Sequence, residues 1–349
     1  MEIYLQTFGA RLRVKDGLFE VTVPDLSGSN QHVIEQFAAH QVNTILLQSG
    51  TSVSADALLL AVENDTEILV LDAFDHPVAR VWTNRPSSTI TVWKNQLAIS
   101  RTLEATLIAK EWIEAKVRER LLYLGKLKAY RQGDKRERIE QAEQAIADLL
   151  SRLHTATATA AELPGIVRGL EGTAGRIYLE TLGYLLPDDY RYEGRSRRPA
   201  ADMFNAFLNY GYGILYRLVE RALLRAGVHP YIGFLHQDNY QRTSMVFDFI
   251  EPFRIWVEKT VFKLFAAKLP TNLHTQPAPN SSGGLWLNEL GKRLVIEALG
   301  KRLQNKKKDL NGRRFPLETY IAEEARRFGA RLLHWGKKPV ETAPEPAFA

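Results

Sequence analysis

At 349 residues the chain is long enough for two domains with a sizeable core, and its composition, 45% hydrophobic and 25% charged, is that of an ordinary globular protein. It contains no cysteine, which excludes disulfides, cysteine nucleophiles and thiolate zinc sites and accords with a reducing cytoplasm. The net charge of +6 is unevenly spread: residues 1–90 hold 5 Lys and Arg against 11 Asp and Glu, and the remainder holds 41 against 29. The C-terminal part is therefore the one expected to face a polyanion, although long helices also carry many solvated cations.

The N-terminus, MEIYLQTFGARLRV, has neither a basic n-region nor an apolar h-region, so no signal peptide is expected. No apolar run approaches the ~18–20 residues of a membrane span. The expectation is a cytoplasmic protein with no membrane partner.

Residues 1–84 read as a small β-rich domain. Ile3–Thr7, Arg11–Lys15 and Leu18–Val23 are strands by length and pattern, and Asp16-Gly17 between the last two is a two-residue hairpin signal, because a type I′ turn needs positive φ at both central positions. Val42–Leu47, Ile68–Leu71 and Val78–Trp82 are further strands. Ala55–Asn64 is a short helix with Ser54 as N-cap and Asp56 in its first turn. The domain shows no reaction site; its apolar strands suit a core, or a core with an interaction surface. Residues 85–100 read as a linker, opening on Asn84-Arg85-Pro86-Ser87-Ser88.

From there the chain is helical by pattern, and residues 101–335 form the larger domain of an α+β protein. Leu103–Leu127 and Asp134–Leu153 repeat apolar residues near the 3.6 period. Pro164 stands where a first-turn proline belongs, and its helix carries Glu171, Gly175 and Tyr178 at i, i+4 and i+7 on one face. There Gly175 lets another group approach the carboxylate closely. An arginine-rich loop follows at 187–199, with Arg191, Arg195, Arg197 and Arg198 interleaved with Tyr190 and Tyr192. That composition suits phosphates and stacked bases, or a solvated surface. Asp202–Arg225 is a long helix rich in aromatic residues. Leu269–Gly283 reads as a loop and Trp286–Leu303 as a helix. A second basic cluster, Lys306-Lys307-Lys308 with Arg313 and Arg314, is either solvated or on DNA. Leu317–Leu333 closes the domain, and the Pro/Ala-rich segment 336–349 is expected to be disordered.

The stretch GVHPYIGFLHQDNYQRTSMVFDFIEPFR (227–254) places His236, Asp248 and Glu251 among apolar and aromatic residues, and GLEGTAGRIYLE places Glu171 in a similar setting. Four ionisable groups in apolar runs are unfavourable unless paired or metal-bound, and carboxylates with an imidazole suit an oxygen-preferring divalent ion. Clustered carboxylates repel, so truncating one is expected to relieve strain in the ion-free protein. Asp248 and Glu251 can share a role only in helical geometry; Pro252 opposes it and a kink would reconcile the two. Arg254 can pair with either acid. There is no Walker A, GxSxG, HExxH or post-strand GxGxxG motif, and no internal repeat.

The pieces GLEGTAGRIY, RRPAADMFNAFLNYGYGILY, PYIGFLHQDNYQRTSMVFDFIEPFR and WLNELGKRLVIEALGKRL occur in the order seen in one family. The chain resembles the universal CRISPR-associated adaptation integrase, a metal-dependent endonuclease that inserts new spacers into a CRISPR array. The resemblance is closest from Pro164 to Arg254. It implies that Glu171, His236 and Glu251 hold Mg²⁺ or Mn²⁺, that Asp248 supports a ligand or binds the ion itself, and that Asn205 has a structural hydrogen-bonding role near the site. It implies DNA as substrate, a homodimer formed through the β-rich domain, and a small second CRISPR-associated protein as partner. A transposon-borne integrase of the same fold, or a non-catalytic helical DNA-binding scaffold, are the alternatives.

Overall fold

A computed structural model describes residues 1–24, 32–64, 66–72, 77–81, 88–197, 199–236, 242–278, 283–308 and 314–336. Arg198, Arg313 and the segments 84–87 and 337–349 lie outside the described residues. The chain divides into two compact units, Met1–Ser87 and Ser88–Ala349.

The first unit contains β1 (Glu2–Leu5), β2 (Arg11–Lys15), β3 (Leu18–Pro24), β4 (His32–Ala38), β5 (Thr44–Leu47), β6 (Ser52–Val53), α1 (Ala55–Glu63), β7 (Glu67–Leu71) and β8 (Pro77–Val81). They form two four-stranded sheets, ordered β1-β5-β7-β8 and β4-β3-β2-β6. Period-2 alternation turns Ile3, Leu5, Leu12, Phe19 and Ile45 into one shared core. Asp16 (φ 52°) and Gly17 (φ 75°) make the hairpin turn between β2 and β3, and Ser54 Oγ caps α1 by accepting from Ala57 N at 3.2 Å. Sequence pattern alone misses β4 and β6. β4 pairs with β3 along its whole length, but Glu35 and Gln36 interrupt its alternation, and β6 has only two residues.

The second unit contains α2 (Thr89–Ile99), α3 (Leu103–Lys128), α4 (Asp134–Thr155), α5 (Leu163–Tyr184), α6 (Met203–Arg225), α7 (Ser244–Phe249), α8 (Arg254–Ala266), α9 (Glu289–Leu303) and α10 (Leu317–Leu333). Their apolar stripes merge into one continuous core. The stretch read as a linker is largely α2, whose Val92, Gln96 and Ile99 are buried at i, i+4 and i+7; a β-branched start and a polar residue on the inner face hide the period. The loop read at 269–283 carries a 3-10 turn, Asn272–His274, and β9 (Thr275–Pro277), which pairs with β10 (Leu285–Leu287). Trp286 therefore belongs to a strand, and α9 begins only after Asn288, whose side chain accepts from Gly291 N. Lys306–Lys308 is β11, antiparallel to β12 (Arg314–Pro316). No helix among the described residues is long and apolar enough to cross a membrane.

Candidate active site

Two of the sequence-predicted acids meet across a lysine. Lys116 lies on the face of α3 that carries Ile113, Arg120 and Tyr123, so its stem is buried with the core and its side chain is 1% exposed. Its ammonium donates to Glu171 Oε1 from α5 and to Glu251 Oε2 from the turn before α8. Arg254 Nε donates to Glu251 Oε1 at 2.9 Å, and Arg254 Nη2 donates to Tyr216 Oη at 2.8 Å. Burial pushes the Glu251 carboxyl up, but Arg254 and then Lys116 outweigh it and hold the group down at about 2. Glu171 is the open half of the pair, with its side chain 32% exposed.

Asp248 turns the other way. Its Oδ2 accepts from Phe234 N at 2.6 Å and Leu235 N at 3.0 Å. Its Oδ1 accepts from His236 N at 3.2 Å and meets His236 Nδ1 at 2.5 Å. An ionised carboxylate only accepts, so Nδ1 is the nitrogen that carries the proton, and in the neutral imidazole Nε2 has the lone pair. This close wrap requires Gly233: a Cβ there would fall 2.6 Å from His236 O and 3.2 Å from Asp248 Oδ2. Farther back, Gln96 of α2 donates to His229 O and Ile232 O, both at 2.9 Å, and accepts from His229 N. Arg168 of α5 donates to Leu235 O at 3.0 Å. The segment ending in His236 is thus fixed from two helices.

Pro252 is accommodated by a 3-10 turn, Glu251–Phe253, between α7 and α8. Asp248 and Glu251 stand in consecutive helical turns yet serve different neighbours. Among the described residues no three His, Asp or Glu side chains are grouped around one point where an ion could sit. Glu171 and Glu251 are brought together; His236 and Asp248 form a separate pair. A divalent ion still suits the donor set: two carboxylate oxygens from different helices already converge on a single cationic group, the Lys116 ammonium.

Behind the carboxylate pair lies a second buried ion pair that sequence reasoning missed. Arg120 Nη2 and Nε reach Glu258 Oε1 and Oε2 at 2.5 and 3.1 Å, and Tyr212 Oη donates to Glu258 Oε1 at 2.8 Å. Burial pushes Glu258 up, but Arg120 outweighs it and the carboxyl is lowered. The guanidinium lies 4.8 Å over the Tyr178 ring, and its buried Nη1 has no hydrogen-bond partner. The group that Gly175 admits is this one: a Cβ at 175 would stand 3.3 Å from Arg120 Nη1 and 3.7 Å from Glu171 Oε1. Lys116, Arg120 and Glu258 are all buried, but α3 carries so many charges that its sequence does not mark which of them point inward.

The basic segments divide. Arg191, Arg197 and Lys306 are exposed; of Lys307 and Lys308 only the strand backbone is described. Arg195 is committed inward, donating to Asn205 Oδ1 at 2.9 Å and Asn209 Oδ1 at 2.6 Å beneath the Tyr212 ring. Asn205 itself is buried and also donates to Gly194 O and Asp202 Oδ2. Tyr190 and Tyr192 are half-buried and pack against the core. Tyr190 packs 4.6 Å from Phe265 and donates to Pro270 O, while Tyr192 packs 5.6 Å from Phe204 and lies against Gly183.

The family model described as "CRISPR associated protein Cas1" matches residues 3–301. A CRISPR-associated endonuclease Cas1 of Thermus thermophilus is 30% identical over 342 residues, covering 97% of this chain and 98% of the relative. Among solved structures, a casposase bound to integration product superposes with a TM-score of 0.69 at 20% identity, over 97% of this chain and 96% of the other. A partial Cas6-RT-Cas1–Cas2 complex gives 0.70 at 19% identity, over 95% of each chain. At those identities the two structures establish the fold.

Proposed function

The chain belongs to the CRISPR-associated Cas1 family, and from that premise we propose that it is a divalent-metal-dependent DNA endonuclease and integrase of spacer acquisition, joining a DNA 3′-hydroxyl to a phosphodiester of a CRISPR repeat. The observation that carries the reading is the convergence of Glu171 and Glu251, eighty positions apart, on one buried cation, with Glu251 held ionised. Glu171, Glu251 and His236 Nε2 would hold Mg²⁺ or Mn²⁺, which when bound polarises the scissile phosphate and stabilises the leaving oxygen.

The chain's own groups do the rest. Arg254 fixes the Glu251 carboxylate from one side while Tyr216 holds the guanidinium. Lys116 holds the Glu171 and Glu251 carboxylates together from behind. Asp248 sets the tautomer and the ring plane of His236, a positioning role. The separation of His236 from the carboxylate pair favours an alternative to ligation, in which Nε2 accepts the proton of the attacking hydroxyl or water and the ion is held by Glu171 and Glu251 alone.

The reading includes a homodimer, and also a small Cas2-like partner, the latter supported by the likeness to a chain of a partial Cas6-RT-Cas1–Cas2 complex. Strand transfer of a labelled 3′-end into repeat DNA, with Mn²⁺ and with EDTA, tests it. Metal-dependent transfer by the wild type, lost in Glu171→Ala, Glu251→Ala and His236→Ala, is expected. Transfer undiminished in EDTA overturns the metal, and DNA binding without transfer leaves a scaffold. Calorimetric Mn²⁺ titration of His236→Ala separates the two roles of the imidazole: affinity falls for a ligand and holds for a base. A repeat–spacer array beside the gene separates spacer acquisition from a mobile-element integrase.

A further inference from the structure

A second basic site lies on the helical unit, away from the carboxylate pair. A pocket of about 410 Å³ opens where the C-terminal half of α3 meets α8 and the last turn of α9. Five cations line it, Lys126, Arg131, Lys259, Lys263 and Arg302, and no acid does. Tyr123, Tyr130 and Phe262 supply aromatic walls.

Helix C-termini attract cations with no ligand involved, and that accounts for Arg131, which donates to Leu127 O at 2.9 Å. It applies equally to Lys126, Lys263 and Arg302, in the last turns of α3, α8 and α9, but it does not account for Lys259 or for the burial of Arg302. Lys259 belongs to the middle of α8, its ammonium 5.1 Å from the Tyr123 ring centroid, and burial lowers its pKa although Glu119 lies 3.4 Å away. Arg302 is half-buried, and its Nε is shut off from solvent with no hydrogen-bond partner. Burial lowers its pKa too. Lys126 and Lys263 are exposed at the mouth, and neither has an ion-pair partner among the described residues. Two desolvated cations, Lys259 and Arg302, share the single acid Glu119, and three further cations border the same concave space, which favours an anion. Tyr130, 88% exposed at the rim, offers a face for a planar ring.

We propose that this pocket binds a phosphate together with its neighbouring base, a nucleotide unit of a DNA strand held outside the catalytic centre. The helices set the distance. From Lys116 to Lys126 along α3 is ten residues, about 15 Å at 1.5 Å per residue, which is four or five nucleotides at duplex spacing. A strand contacting the pocket can therefore belong to the same DNA that reaches Glu171. The proposal rests on the reading of the chain as an enzyme acting on DNA.

The test uses the full chain in EDTA with a fluorescent single-stranded oligonucleotide, following anisotropy between about 50 and 200 mM salt. Lys126→Gln with Lys263→Gln should reduce the slope of log affinity against log salt by about 1.4, or 0.7 per lost single-strand contact. Tyr130→Ser should weaken binding about tenfold with the slope unchanged. Unchanged slope and affinity in both variants overturn the proposal. Displacement of the oligonucleotide by excess dAMP would make a free nucleotide the source, and no displacement assigns the pocket to the strand. Glu171→Gln separates this site from the enzymatic reading: it should lose strand transfer and keep the wild-type salt slope. A wild type that never transfers strands, but whose pocket variants lose slope, would retain the pocket and discard the integrase.

Discussion

Replacing Glu251 by glutamine should destabilise the ion-free protein, the opposite of what mutual repulsion among clustered acids implies. The carboxylate is buried between Lys116 and Arg254 and is held at about 2 against an ordinary value of 4.5. At about 1.4 kcal/mol per tenfold, that difference is worth about 3 kcal/mol at neutral pH. Removing one partner of a buried pair points to the same range, about 3–5 kcal/mol, because the remaining charge is left uncompensated. The folded value lies below the unfolded one, so the stabilisation is complete above about pH 5 and is lost as pH falls from about 4.5 to about 2. Thermal melting in EDTA at pH 7 should place Glu251→Gln roughly 6–12 °C below the wild type, and the gap should close towards pH 2. A variant that melts at or above the wild type at pH 7 would refute the pairing and reinstate carboxylate repulsion.

Further outcomes follow from the same geometry. Asp248→Asn keeps one of the two oxygens that accept from Phe234 N, Leu235 N, His236 N and His236 Nδ1 and turns an NH2 donor towards the rest, so strand transfer should fall about 10–100-fold and the melting temperature should drop as well. Arg191→Ala with Arg197→Ala should lower the salt slope of duplex binding by about 0.9 per lost contact. Arg195→Ala should leave that slope alone and instead destabilise by about 1–3 kcal/mol, read by urea denaturation, because Asn205 and Asn209 lose a buried donor. Residues 88–349 alone should bind DNA and sediment as a monomer; a dimer of that fragment would move the subunit contact out of the β-rich unit.

Much of the architecture could be read from the sequence: α4 and α10 carry clean periods, α3, α4 and α10 lie within a residue or two of their expected ends, and the Asp16-Gly17 turn has the positive φ values it requires. The failures share a cause. α2 was hidden because a buried Gln96 occupies an apolar phase to hold the 229–232 segment, and β4 because polar side chains interrupt its alternation. At the site, the acids were visible as charges in apolar runs. Lys116 and Arg120 were not, because an amphipathic helix full of charges gives no warning that two of them point inward. Asp248 and Glu251 were grouped by spacing, although a short 3-10 turn sends each to different neighbours. The paired tyrosines at 190 and 192 show the converse error, since composition suggested nucleic acid where packing claimed them.

The Lys116 bridge also fixes the electrical state in which the site waits. Glu171 and Glu251 contribute two negative charges, Lys116 and Arg254 two positive ones, so the cluster is electroneutral before any substrate arrives. A divalent ion entering alone would leave it with two uncompensated positive charges, and a phosphodiester entering alone would leave it negative. With both bound, the phosphodiester offsets half of the ion's excess charge. On the proposed metal-dependent reading, metal and DNA should therefore bind with positive cooperativity, each raising the affinity for the other by the same factor.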